Sequence, residues 1–280
     1  MTQSWRGSLH LVYGDLQGKT HIEHSQMQAP LRVQCPFYPE GPRVCHSIIL
    51  HTAGGMVGGD YLEQNITLKA NAQALVTTAA AGKVYRSNGQ IAQQQVKIHV
   101  APGASLEWLP QETILFNGAV YQQKLRVDLA PQANWCGWEI TRLGRSARGE
   151  KFLAGEWRSH TEIWQEGKPL WIDRQWLPGS ELTFNSPHAL AGQPIVANLV
   201  WLGKPVNSDL VNQAWLLWDQ QTNTGEAGVT TIQEQGLLCR YRGSSTAEVK
   251  NWFIAVWMML RDLLPQRSGS EQQIPRVWQF

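Results

Sequence analysis

With 280 residues, 42% hydrophobic and 16% charged, the chain is long enough to bury a substantial core and too apolar to be disordered. Its 24 Lys and Arg against 22 Asp and Glu give a net charge of +2, and without any basic run the electrostatic footprint of a nucleic-acid binder is missing. No segment approaches the continuous apolar length that crosses a bilayer, so neither nucleic acid nor membrane is an expected partner.

The N-terminal MTQSWRGSLHLVYGDLQGK has polar and charged residues where a signal peptide needs an apolar centre, which predicts a cytoplasmic chain. In the next segment, His21-Ile22-Glu23-His24 offers two imidazoles, but its polar surroundings read as a solvated turn rather than a metal site. The stretch HTAGGMVGGD, His51 to Asp60, follows an apolar run and contains Gly54, Gly55, Gly58 and Gly59. A phosphate loop needs GK[ST], whereas Gly59 is followed by Asp60 and Tyr61. A dinucleotide fingerprint leads into a helix, whereas YLEQNITLK alternates as a strand. These four glycines therefore read as structural, making a turn with positive φ or a close backbone approach, and Asp60 is left free for another use.

The centre of the chain repeats itself. NITLKANAQALVTT, QVKIHVAPGASLEWLP and KLRVDLAPQANWCGWEI can be superposed so that Ala74, Ala104 and Ala133 coincide. Each copy opens with period-two alternation: Ile66 and Leu68, then Val96, Ile98 and Val100, then Leu125, Val127 and Leu129. That is a strand with one buried face. A small-residue corner and a second apolar segment follow, so the unit is strand, corner, strand. Stacked on its own copies it forms a solenoid-like assembly, and the same pattern also suits an antiparallel sandwich. Either way the fold is mainly β, one domain over residues 1–280.

Two alternating runs around Glu166, Gly167 and Lys168 predict a hairpin within Glu156 to Leu177. Two helices are expected in the C-terminal third. Asp209 to Gln221 is a short candidate; the second, Thr246 to Leu264, starts at a Ser245 to Glu248 capping box and is followed by Pro265. Residues 266–280 lack any period and read as a loosely held tail. The four cysteines, Cys35, Cys45, Cys136 and Cys239, lack a CxxC spacing, which fits reduced core thiols. The 14 tryptophans fit either a large core or a surface covered by another protein. There is no G-x-S-x-G elbow and no H-E-x-x-H, so the residues give an enzyme reading little support.

Four ordered segments carry a resemblance: PLRVQCPFYPEGPRVCHSIILHTAGGMVGGDYL, TTAAAGKVYRS, LEWLPQETILFNGA and GWEITRLGRSARGEKF. They resemble the signature segments of the urease accessory protein family UreD, also called UreH, closely over residues 5–177 and more loosely beyond. One departure is Tyr61, where the family often has Arg after GGD, which alters the local charge. The resemblance implies a mainly β, non-catalytic maturation factor with two helices. It would bind apo-urease together with UreF and the GTPase UreG, and the assembly would deliver nickel to the carbamylated-lysine site of urease. No cofactor would be permanently bound, and nickel would be in transit only.

The same resemblance implies an internal water-filled passage from a UreF face to a urease face. Imidazole and thiolate would trap nickel(II), whereas carboxylates, hydroxyls and carbonyls hold it weakly enough to pass it on. The oxygen-bearing residues of the motifs, Asp60, Ser87, Glu112, Glu139 and Glu150, are therefore candidates for the passage. Arg86, Arg142, Arg145 and Arg148 are candidates for partner binding; Trp252 and Trp257 are candidates for supporting the UreF contact, although the wide apolar face of their helix favours packing on the β body first. Two other classes stay open: a carbohydrate-active β-fold enzyme that stacks sugars on tryptophan, and a stand-alone nickel store.

Overall fold

The computed structural model describes residues 4–233, 235–264 and 274–278. The chain begins with a hairpin, β1 (Arg6–Leu16) and β2 (Lys19–Gln28), followed by β3 (Leu31–Val33) and β4 (Val44–His51). The histidine-bearing segment predicted as a turn, residues 21–24, lies inside β2, because its polar side chains suit an edge strand of a solvated sheet.

Three coils follow. The first is β5 (Tyr61–Leu68), β6 (Gln73–Thr78) and β7 (Gly82–Val84); the second is β8 (Ala92–Val100), β9 (Ser105–Trp108) and β10 (Thr113–Leu115). The third is β11 (Val120–Leu129) leading into the long β12 (Asn134–Leu143), whose two halves continue the tracks of β9 and β10. Equivalent strands pair in parallel from coil to coil, β5 with β8 and β8 with β11 on one side, β6 with β9 and β9 with β12 on the other. The solenoid-like reading is therefore the observed one.

The corners explain the repeat. In each, a backbone bond closes a four-residue turn: Ala72 N–H to Lys69 O, Ala104 N–H to Ala101 O and Ala133 N–H to Ala130 O, all 3.1 Å. The third residue of each turn has positive φ, 64° at Asn71, 72° at Gly103 and 66° at Gln132, as a type II turn demands. Ala72, Ala104 and Ala133 are fully buried and stack from coil to coil, since only a small side chain fits where two strands meet. The superposition based on Ala74 is thus corrected by two residues: Gln73 pairs with Ser105 and Ser105 with Asn134, which makes Ala72 the equivalent alanine. Ala74 is equally buried, so composition did not separate the two.

β13 (Glu156–Gln165) and β14 (Lys168–Pro178) form the predicted hairpin, with Glu166 at φ 48° and Gly167 at φ 74° making the two-residue turn. After a short helix, α1 (Glu181–Asn185), come β15 (Ile195–Leu202), α2 (Ser208–Asp219), β16 (Glu226–Ile232), β17 (Gly236–Gly243) and α3 (Thr246–Arg261). The two sheets run β14-β13-β11-β8-β5-β1-β2 and β16-β17-β15-β12-β9-β6-β4-β3, the second with β7 and β10 beside the end of β12.

One core lies between the sheets, where Leu11, Ile66, Ile98, Val127 and Ile163 fall in register. The other lies between the second sheet and α2 and α3, where Trp138, Trp201, Cys239 and Tyr241 meet Trp252, Phe253, Val256 and Trp257. The first sheet has one solvated face and keeps a clean alternation; the second is covered on both faces, so β4, β6 and β9 are almost continuously buried. Ser245 caps α3 by accepting from the Glu248 N–H at 3.2 Å. The Glu248 carboxylate turns away from the expected box and accepts from Thr224 N–H (2.8 Å), Gly225 N–H (3.0 Å) and Tyr241 O–H (2.9 Å). The tail expectation for 266–280 falls mostly outside the described residues. Within 274–278, the Trp278 ring packs 4.9 Å from Trp138 and donates to Thr77 Oγ1 at 3.0 Å.

Candidate functional site

The four signature segments are brought together by the coil stacking. Met56 in the glycine loop bridges to Val84 of β7; β7 pairs with β10, and β10 with the end of β12. The ladder continues through Ser87 N–H to Gly118 O at 2.9 Å and Gly144 N–H to Leu115 O at 2.7 Å. Close approach accounts for two of the glycines. A Cβ on Gly55 would lie 2.6 Å from the Tyr85 ring, and one on Gly58 would lie 2.7 Å from Gln90 O. Tyr85 meets Phe116 edge-on at 4.9 Å, and the Arg145 guanidinium lies 4.5 Å above the same Phe116 ring.

Behind this face a cavity of about 530 Å³ opens between the sheets, lined among others by His51, Met56, Gln64, Lys83, Gln123 and Glu139. Burial lowers the pKa of His51, with Asp60 acting in the opposite direction. The Gln64 side chain is buried, and its Oε1 has no hydrogen-bond partner in the protein. Glu139 is the carboxylate of this space. It accepts from Ser159 Oγ at 2.9 Å and Thr161 Oγ1 at 3.4 Å, and the Gln123 amide also donates to it. Burial raises its carboxyl to about 7; the Asp173 charge adds to this, while the Ser159 and Thr161 hydroxyls oppose it.

Strand register turns these groups into a polar slot through an otherwise apolar layer. In the first sheet Gln94, Gln123, Ser159 and Gln175 stand side by side, and Thr161 stands beside Asp173. In the second sheet Glu139, Asn198 and Arg240 stand side by side. Asp173 bridges the layers, accepting from Asn198 Nδ2 at 3.3 Å and Arg240 Nη2 at 2.8 Å. A row of carboxylate, hydroxyl and amide oxygens can hold a hard or borderline cation loosely and in steps. Asp173, Gln123, Ser159, Thr161 and Asn198 were missed from sequence. Gln123, Ser159 and Thr161 carried a readable signal, since they occupy the inward phase of strands whose other inward residues are Tyr121, Val127, Trp157 and Ile163.

Of the five passage candidates, Glu139 alone borders this cavity. Asp60 is buried with its two oxygens accepting from Trp5 N–H and Val57 N–H, both at 2.8 Å, so it clamps the glycine loop to the N-terminal strand. Ser87 closes a turn by donating to Gln90 O and accepting from Gly89 N–H. Glu112 pairs with Lys250 of α3 at 3.4 Å. Glu150 receives Arg145 Nε at 3.0 Å and Asn117 N–H at 3.0 Å, and the Arg145 hydrogen bond leads in lowering its pKa.

The partner candidates divide. Arg86 and Arg148 are exposed on the motif face, while Arg145 is tied to Glu150. Arg142 is half-buried and donates to Thr246 Oγ1, fastening β12 to the start of α3. Trp252 and Trp257 are corrected to core residues: both are buried, donating to Ala214 O at 3.1 Å and Glu107 Oε1 at 2.9 Å. Trp252 packs against Trp218 of α2 and Trp257 reaches Glu107 of β9, because the wide apolar stripe of α3 covers both the sheet and its neighbouring helix. Arg261, at the end of α3, is buried against Glu40 and Glu107 at 2.7 and 2.8 Å, and His46 lies 2.6 Å from Glu40.

This layered β-solenoid, with helices on one sheet and a polar slot between the two, matches known proteins along its whole length. The sequence pattern described as UreD urease accessory protein matches residues 6–279. A protein of Nostoc punctiforme named urease accessory protein UreD is 62% identical over 279 residues, covering 100% of this chain and 98% of its own. Proteins of the same name from Acaryochloris marina and Synechocystis sp. are 54% and 47% identical, over 98% and 89% of this chain and 95% and 92% of theirs. The chain belongs to the UreD urease accessory protein family. No helix among the described residues is long and apolar enough to cross a membrane.

Proposed function

We propose that this chain is a non-catalytic factor in urease maturation, binding apo-urease together with UreF and, through it, UreG, and handing nickel onward through its interior. Nickel(II) is the cargo and would be held only in transit. The observation that carries the reading is Glu139, a carboxylate between two sheets with only hydroxyl and amide partners, bordering a cavity behind the motif face. A carboxylate placed there in an apolar layer is costly, and a cation path gives a reason to retain it.

The chemistry suits passage. Among the described residues no three His, Cys, Asp or Glu side chains converge as a metal cage, and the slot offers oxygens, which hold nickel more weakly than imidazole or thiolate. The exposed Arg86 and Arg148 on the motif face give that face the planar donors that suit a protein partner. The test is to purify urease from cells expressing Glu139→Ala in place of the wild-type chain. The expected result is normal co-purification with UreF and apo-urease and a reduced nickel content. Full nickel content would reject the passage reading.

A further inference from the structure

The slot has an outer end, and its chemistry differs from that of the inner one. Glu139 is held by neutral groups, whereas Asp173 carries an ion pair: Arg240 Nη2 lies 2.8 Å from its Oδ1. Gln175 Nε2 at 2.6 Å and Asn198 Nδ2 at 3.3 Å occupy the other oxygen, Oδ2. The pair joins the two sheets, because Asp173 is on β14 and Arg240 on β17. Side-chain exposure rises from 12% at Asp173 to 50% at Arg240, so the guanidinium sits between the slot and solvent. At the other end, the buried Gln64 Oε1, without a partner in the protein, lines the same cavity as Glu139.

We propose that Arg240 is a latch on the outer end of the slot: paired with Asp173 it closes the slot to divalent cations, and displaced from Asp173 it leaves two carboxylates, Asp173 and Glu139, to share a passing ion. This rests on the passage reading. Arginine suits a latch of this kind, because it stays charged at every physiological pH and opens by displacement instead of deprotonation. Because the guanidinium is itself half in solvent, it can leave the largely buried Asp173 without an unpaired cation remaining inside. Thr161 and Asn198 lie between the two carboxylates: Thr161 donates to Glu139 and stands beside Asp173 in register, while Asn198 donates to Asp173 and stands beside Glu139.

The test is nickel(II) binding to the full chain, followed by calorimetric titration. Arg240→Gln removes the competing cation and is expected to tighten nickel binding on the order of tenfold. Arg240→Lys keeps the charge and is expected to stay near the wild-type affinity. The gain must disappear in Arg240→Gln combined with Asp173→Asn, and in Arg240→Gln combined with Glu139→Gln. Unchanged affinity in Arg240→Gln, or a gain that survives either double substitution, overturns the latch. Failure of the passage reading appears elsewhere, as normal nickel content in urease matured with Glu139→Ala.

Discussion

Replacing Glu139 by glutamine separates what the carboxylate does for the fold from what it does for an ion. Gln has the same shape, can accept from Ser159 and Gln123 through its oxygen, and can donate to the Thr161 hydroxyl, so packing is preserved. The wild-type carboxyl is raised from an ordinary 4.5 to about 7. A raised acid contributes stability that is fully present below the unfolded value and is lost as pH rises through the folded one. The loss therefore runs from about pH 4.5 to about pH 7 and amounts to on the order of 3 kcal/mol. Above pH 7.5 the Gln variant should be more stable than wild type by that increment relative to pH 4.5, a melting-temperature difference of roughly 5 °C. Urea or thermal unfolding of both chains at the two pH values reads it directly. An identical difference at both would refute the claim that Glu139 ionises at a cost inside the slot. The gain in stability should coincide with poorer nickel delivery, since a neutral amide no longer attracts the ion.

Three other substitutions follow from the same contacts. Arg261→Met removes the guanidinium shared by Glu40 and Glu107 and should destabilise by about 3–5 kcal/mol in denaturant titration; a loss under 1 kcal/mol would show that the cluster tolerates its removal. Trp257→Ala empties a fully buried site and should cost about 3–5 kcal/mol, read as an earlier unfolding midpoint. Asp60→Asn should weaken one of the two clamps on Trp5 and Val57, costing about 1–2 kcal/mol and speeding amide exchange in the glycine loop; unchanged exchange would mean that the glycine geometry alone holds it.

Much of the architecture was legible in the residues. The alternation of β5, β8 and β11, the turn before β14 and the amphipathic stripe of α3 are local patterns, and each is governed by residues a few positions apart. Those patterns survive because the first sheet has one wet face. The second sheet lost its alternation through burial on both sides, which is why the choice between Ala72 and Ala74, and between solenoid and sandwich, needed the pairing register. The slot was harder still to read. Glu139, Asp173, Asn198 and Arg240 come from four strands, β12, β14, β15 and β17, and nothing in their sequence spacing relates them. Only the stacking of coils and the closure of one sheet over the other bring these groups into one row, with Asp173 in hydrogen-bond reach of Asn198 and Arg240. Electrostatics at that range depends on distance and burial, and both are properties of the folded layers.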